Sequence, residues 1–173
     1  VSHFVDVSLR DLVKSGAIAG PDVFAAGYHV RERLAEEAFY SDPSLSDLLG
    51  GVKTIPDIRR VVRMNLARGV DWIKINATER AGTPDTDPRK QMWSEAEMRA
   101  IVEEAALTGV RVQAHAHGAE GALAAVKAGV AEGTERYGPV ELRAGQRYDI
   151  HAIVVPVAGD KGDPVLYLRL VHL

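Results

Sequence analysis

Two short apolar runs each carry residues that can do chemistry near their C-terminal ends. The first, Trp72-Ile73-Lys74-Ile75-Asn76, sets a lysine between two isoleucines. The second runs from Val110 to Gly118 and ends in His115-Ala116-His117. A lysine amine held in apolar surroundings can act as a base, as a Schiff-base nucleophile or, once carboxylated, as a metal-bridging carbamate. The plainer alternative is a lysine whose stem packs along a sheet while its amine reaches water. Two histidines spaced by two on a strand point to the same side, and imidazole suits zinc. The competing reading makes His115 a hydrogen-bonded core residue and His117 a loop residue. Gly118 followed by a helix adds a possible anion site at a helix N-terminus. His29 and Arg80 are the weaker candidates, both as substrate contacts. His29 follows the run Asp22 to Gly27, and Arg80 lies in the polar loop after Asn76.

These residues have to be positioned by helices and strands, and the sequence marks most of them. Ser8 to Ser15 reads as a short helix capped by Ser8. Asp22 to Gly27 reads as a buried strand, and Arg31 to Phe39 as helical. Thr54 caps a helix with Pro56 in its first turn, a position proline tolerates. That helix carries Ile58, Val61, Val62, Asn65 and Leu66 at helical spacing and stops at Gly69. Ser94-x-x-Glu97 is a capping box, and the helix it opens places Met98, Ile101, Val102, Ala105 and Ala106 on one face before Gly109. Glu120 to Ala128 is a small alanine-rich helix. Between the lysine strand and the Ser94 helix lies a 16-residue polar loop, Ala77 to Met92. Loops of that length inside compact domains are often functional.

Helix, glycine, apolar strand and polar loop repeat, and that alternation specifies a parallel sheet with helical crossovers. Strand ends in such folds gather at one face, where chemistry is done. The expected fold class is therefore α/β, a partial (β/α)8 barrel. From residue 131 the pattern changes to two β-rich runs, Tyr148 to Val157 and Pro164 to Leu173. They are expected to form an antiparallel hairpin turning at Gly159 to Asp163. Two regions follow, a barrel segment over residues 1–130 and a linker with hairpin over 131–173.

Composition narrows the function. The chain has 173 residues, a net charge of −3 and no cysteine. Thiolate chemistry and disulfides are excluded. No basic run offers itself to nucleic acid or an anionic membrane, and no apolar run approaches the ~20 residues of a membrane span. A cytoplasmic location is the expectation.

With these residues in place, the chain resembles the metal-dependent amidohydrolase superfamily, and most of all the branch of imidazolonepropionase-like enzymes and Xaa-Pro dipeptidases (prolidases). The resemblance is carried by Leu9 to Asp11, Gly20 to Gly27, Gly69 to Ile75, Asp87-Pro88, Ser94 to Ala105 and Ala114 to Gly118. It covers roughly residues 6–130. It implies a (β/α)8 barrel that binds one or two divalent metals, often zinc. It implies a carboxylated Lys74 bridging metals, His115 as a metal ligand, and His117 as a second-ranked ligand. The implied substrate is a small amide or dipeptide, attacked by metal-activated water.

The chain also departs from the family pattern. No HxH of a first barrel strand precedes Val1. Ala131-Glu132-Gly133-Thr134 stands where an IEHG-like histidine motif is usual, and no final-strand aspartate is found. A whole barrel takes ~250 residues. Two readings therefore stand. One is a metal-dependent amide hydrolase whose site is incomplete in this chain. The other is a non-catalytic, truncated, recombined or designed fragment serving as a structural or oligomerising module. Open sheet edges favour association, so a homo-oligomer is expected on either.

Overall fold

The computed structural model describes residues 2–34, 36–80, 84–130, 148–155 and 165–172. The chain divides into two compact units, Val1–Ala131 and Glu132–Leu173. In the first unit the elements are α1 (Val5–Lys14), α2 (Glu36–Ser41), a 3-10 segment (Pro43–Gly50), α3 (Ile55–Ala67), β1 (Trp72–Asn76), α4 (Glu95–Ala106), β2 (Arg111–His115) and α5 (Ala119–Lys127). The second unit contains β3 (Tyr148–Val155) and β4 (Val165–His172), paired antiparallel from Tyr148↔His172 to Val155↔Val165. The expected turn at Gly159 to Asp163 and the segment 131–147 lie outside the described residues.

The helix starts are set by side chains. Thr54 and Asp57 form a reciprocal capping box on α3, and Ser94 and Glu97 form the same device on α4. Each box satisfies backbone N–H groups that a helix start leaves open. Both helices stop short of a glycine in the left-handed conformation, Gly69 (φ 68°) and Gly109 (φ 74°), which turns the chain back into the next strand. α3 buries Ile58, Val61, Val62, Met64 and Asn65, and α4 buries Met98, Ala100, Ile101, Glu104 and Ala105. The two helices pack side by side, with α3 against β1 and α4 against β2.

β1 and β2 are parallel, in the register Trp72↔Arg111, Lys74↔Gln113 and Asn76↔His115. One sheet face carries Ile73, Ile75 and Val112, all buried in the core. The other carries Trp72, Lys74, Asn76, Gln113 and His115, all half-buried, with the exposed Arg111. The alternation is that of a half-covered sheet.

Three expected boundaries shift. α1 begins at Val5 with Phe4 as its N-cap, so Ser8 lies inside the helix. α2 begins at Glu36, and Glu32 and Arg33 run in a bend; the carbonyl of Glu32 accepts Val52 N at 2.7 Å. The expected strand Asp22 to Gly27 forms no ladder. Side chains from elsewhere take its backbone N–H groups instead. Ala25 N donates to Asp71 (2.8 Å), Ala26 N and Gly27 N donate to Asp6 (2.9 and 2.7 Å), and Tyr28 N donates to Asn65 (2.8 Å). Two points reach β1: Trp72 N donates to Ala25 O at 3.2 Å, and Val30 forms an isolated parallel bridge to Ile75 with Val30 N donating to Lys74 O at 2.8 Å.

Gly27 is the tightest point of this strapped segment. Its φ is +61°, and a Cβ there would collide with Asn65 Oδ1 and lie 2.7 Å from Phe4 Cε1. Gly27→Ala is expected to cost about 2–5 kcal/mol, the sum of a left-handed alanine and a buried collision. Urea unfolding midpoints of the two proteins check it; equal midpoints would contradict this account of the turn.

Candidate metal centre

The half-covered sheet face positions the candidate residues. Lys74 lies on β1 between the bridge to Val30 and β2. His115 is the last residue of β2, opposite Asn76, on the same face as Lys74. It lies one strand over and two residues further along, about 8 Å from Lys74 by Cα on strand spacing and rise. His117 lies past the strand end and is exposed, yet its ring meets that of His115 edge-on with centroids 4.4 Å apart. The strand therefore carries His115 alone, and His117 meets it by ring contact from the segment after the strand end. Nε2 of His115 is shut off from water. At the opposite end of the face the Arg111 guanidinium stacks over Trp72, 4.5 Å from the ring centroid.

His29, one residue before the Val30 bridge, stands on the same side. Burial first, and then nearby positive charge including that of Lys74, Arg31 and Arg80, lowers its pKa from 6.5 to about 4. It is therefore a neutral imidazole at pH 7. The unfolded chain takes up this proton near pH 6.5 and the folded one only near 4. The group's contribution is intact above about 6.5 and is lost as pH falls from there toward 4. An imidazole proton NMR titration should put the midpoint near 4, and His29→Gln should flatten that limb of the stability–pH curve. A midpoint near 6.5 would contradict the burial described.

Arg80 is exposed on the loop after β1, and its carbonyl accepts Thr86 Oγ1 at 2.7 Å. The loop is more built than its composition suggests. Thr78 and Gln91 form an antiparallel bridge, Glu79 N donates to Lys90 O (3.0 Å), and Met92 N donates to Ala77 O (2.9 Å). Glu79 pairs with Lys90 at 2.6 Å and accepts Asp87 N at 2.8 Å, and these contacts hold its carboxyl below the usual range. Residues 81–83 lie outside the description.

One residue that the sequence did not single out proves central to the geometry. Thr78 is fully buried. Its hydroxyl accepts His117 N at 2.9 Å, and the backbone N–H groups of Ala77 and Thr78 reach the His115 carbonyl at 2.8 and 3.4 Å. Nothing local marks it out, because the contacts span 37 to 39 positions of chain.

The donor chemistry suits a divalent metal in part. Two imidazoles stand together, and Lys74 shares the sheet face of one of them, His115. Among the described residues no group of three or more His, Cys, Asp or Glu side chains gathers. With a carboxylated Lys74 the donors number three, the minimum for a catalytic zinc site.

The fold is thus a parallel α/β layer with Lys74 and His115 on one face of neighbouring strands and His117 just past the end of the second. The amidohydrolase family profile matches residues 7–158, and the chain belongs to that family. Ochratoxinase of Aspergillus niger is 30% identical over 135 residues, covering 68% of this chain and 28% of that enzyme. Among solved structures, a Xaa-Pro dipeptidase with bound methionine in its active site superposes with a TM-score of 0.61 at 31% identity, over 75% of this chain and 34% of its own. A putative prolidase from Bifidobacterium longum gives 0.54 at 34% identity, over 72% and 28%. The chain spans about a third or less of the length of these relatives. Enzymes of the family generally use divalent metals.

Proposed function

We propose that this chain is the lysine-and-histidine segment of a metal-dependent amide hydrolase built on a (β/α)8 barrel. The observation that carries the reading is the shared sheet face of Lys74 and His115, with the His117 ring 4.4 Å from that of His115. Prolidase and ochratoxinase relatives at about 30% identity support it. Lys74, carboxylated, with His115 and His117 would hold a divalent ion, of which zinc suits the imidazoles. A metal bound there supplies an activated water and polarises an amide carbonyl. His29, neutral beside Lys74, offers a hydrogen bond without competing charge, and Arg80 offers a cation to a substrate carboxylate. The substrate class is a small amide with a free carboxylate, such as a dipeptide ending in proline or an N-acyl amino acid.

The donors described here reach the minimum only with Lys74 carboxylated, so the complete polypeptide encoded by the gene is the proper test object. It is incubated with Xaa-Pro dipeptides and N-acyl amino acids, and amine release is followed before and after chelation. Release that chelation stops and zinc restores supports the proposal. Release indifferent to chelation, or none from any substrate, would contradict it.

A further inference from the structure

We propose that Thr78 is a positioning residue for the histidine pair, an inference that rests on the functional reading above. Thr78 grips the HxH backbone on both sides of Ala116. Its N–H and that of Ala77 point to the His115 carbonyl, at 3.4 and 2.8 Å, and its hydroxyl accepts the His117 N–H at 2.9 Å. The hydroxyl proton is directed to the Glu79 carbonyl at 3.2 Å, which leaves the oxygen lone pairs for His117. The Thr78 side chain is itself immobile. It is fully buried, and its methyl packs against Gly121 of α5, where a Cβ would collide with it.

This matters because β2 ends at His115. Beyond that residue no ladder fixes His117, which is exposed. Its backbone N–H donates to Thr78 Oγ1. Without the clamp, the residue after Ala116 loses its fixed direction and the two rings lose their 4.4 Å edge-on contact. Outer partners that orient metal ligands typically contribute 10–100-fold to metal affinity.

The test uses Thr78→Val, which keeps shape and loses the hydroxyl, and Thr78→Ser, which keeps the hydroxyl. Zinc affinity is expected to fall roughly 10–100-fold in Thr78→Val and to stay within about threefold of the parent in Thr78→Ser. The His115–His117 ring-to-ring NOE should follow the same order. Equal zinc affinity and an unchanged NOE in Thr78→Val would overturn the proposal, as would a Thr78→Ser that behaves like Thr78→Val. Hydrogen exchange of the His117 amide in the parent protein covers the case in which Thr78→Val fails to fold. The clamp predicts protection of at least about tenfold at this exposed position, and unprotected exchange overturns it. If the parent binds no zinc, or His115→Ala leaves binding intact, the functional reading fails. The exchange and NOE results still decide the clamp.

Discussion

Removing both Arg59 and Arg63 should destabilise the protein by about 3–5 kcal/mol, the range for a buried charge stripped of its partners. Glu104 of α4 is only 3% exposed, and its two oxygens are held by Arg63 Nε at 2.5 Å and Arg59 Nη1 at 3.0 Å, both from α3. Hydrogen bonding from Arg63, then from Arg59, lowers the Glu104 pKa below 4.5, overcoming the burial that would raise it. The pair therefore contributes above the unfolded value near 4.5, and its contribution is lost as pH falls through the lower folded value. In the double variant only burial acts, so the sign reverses and acid should narrow the gap to the parent. Glu104→Leu placed on the double variant should recover much of the loss, because it removes the stranded carboxylate. Urea unfolding at pH 7 and pH 4.5 reads all three. A double variant as stable as the parent at pH 7 would contradict this account of the α3–α4 contact.

His115→Ala should remove metal-dependent amide hydrolysis from the complete polypeptide. The loss in kcat/KM should be at least about a hundredfold, since even outer partners of metal ligands cost up to that much. His115 is the better target of the pair. It is held in the β2 ladder opposite Asn76, and its carbonyl is fixed from Ala77. Its alanine variant should fold, because the residue is half-buried and lies outside the hydrophobic core. A fully folded variant that keeps its rate would remove His115 from the chemistry.

The legible parts of this chain were those coded by neighbours in sequence. The Ser94-x-x-Glu97 box, the glycines that end α3 and α4, and the period-two burial of β1 all follow from residues within a turn or a pleat of one another. What escaped was set across the chain. Asp22 to Gly27 has the apolar look of a strand. The N–H groups of Ala25 to Gly27 go instead to Asp71 and Asp6, from 20 to 46 positions away in sequence. Period two expects His115 and His117 on one strand face, but β2 stops at His115, and what fixes the His117 backbone is the hydrogen bond to Thr78. The expected loop Ala77 to Met92 is a loop, closed by its own Thr78–Gln91 bridge and Glu79–Lys90 pair.

Bound zinc is the most direct test of the central claim that Lys74, His115 and His117 form the metal-holding side of an amide hydrolase site. The chain, Lys74→Ala and His115→Ala are purified, equilibrated with zinc and bicarbonate, dialysed and analysed for metal. The account predicts about one zinc per parent chain and near none in either variant, for a site with the three protein ligands that catalytic zinc needs. Metal absent from the parent, or retained by both variants, would contradict it.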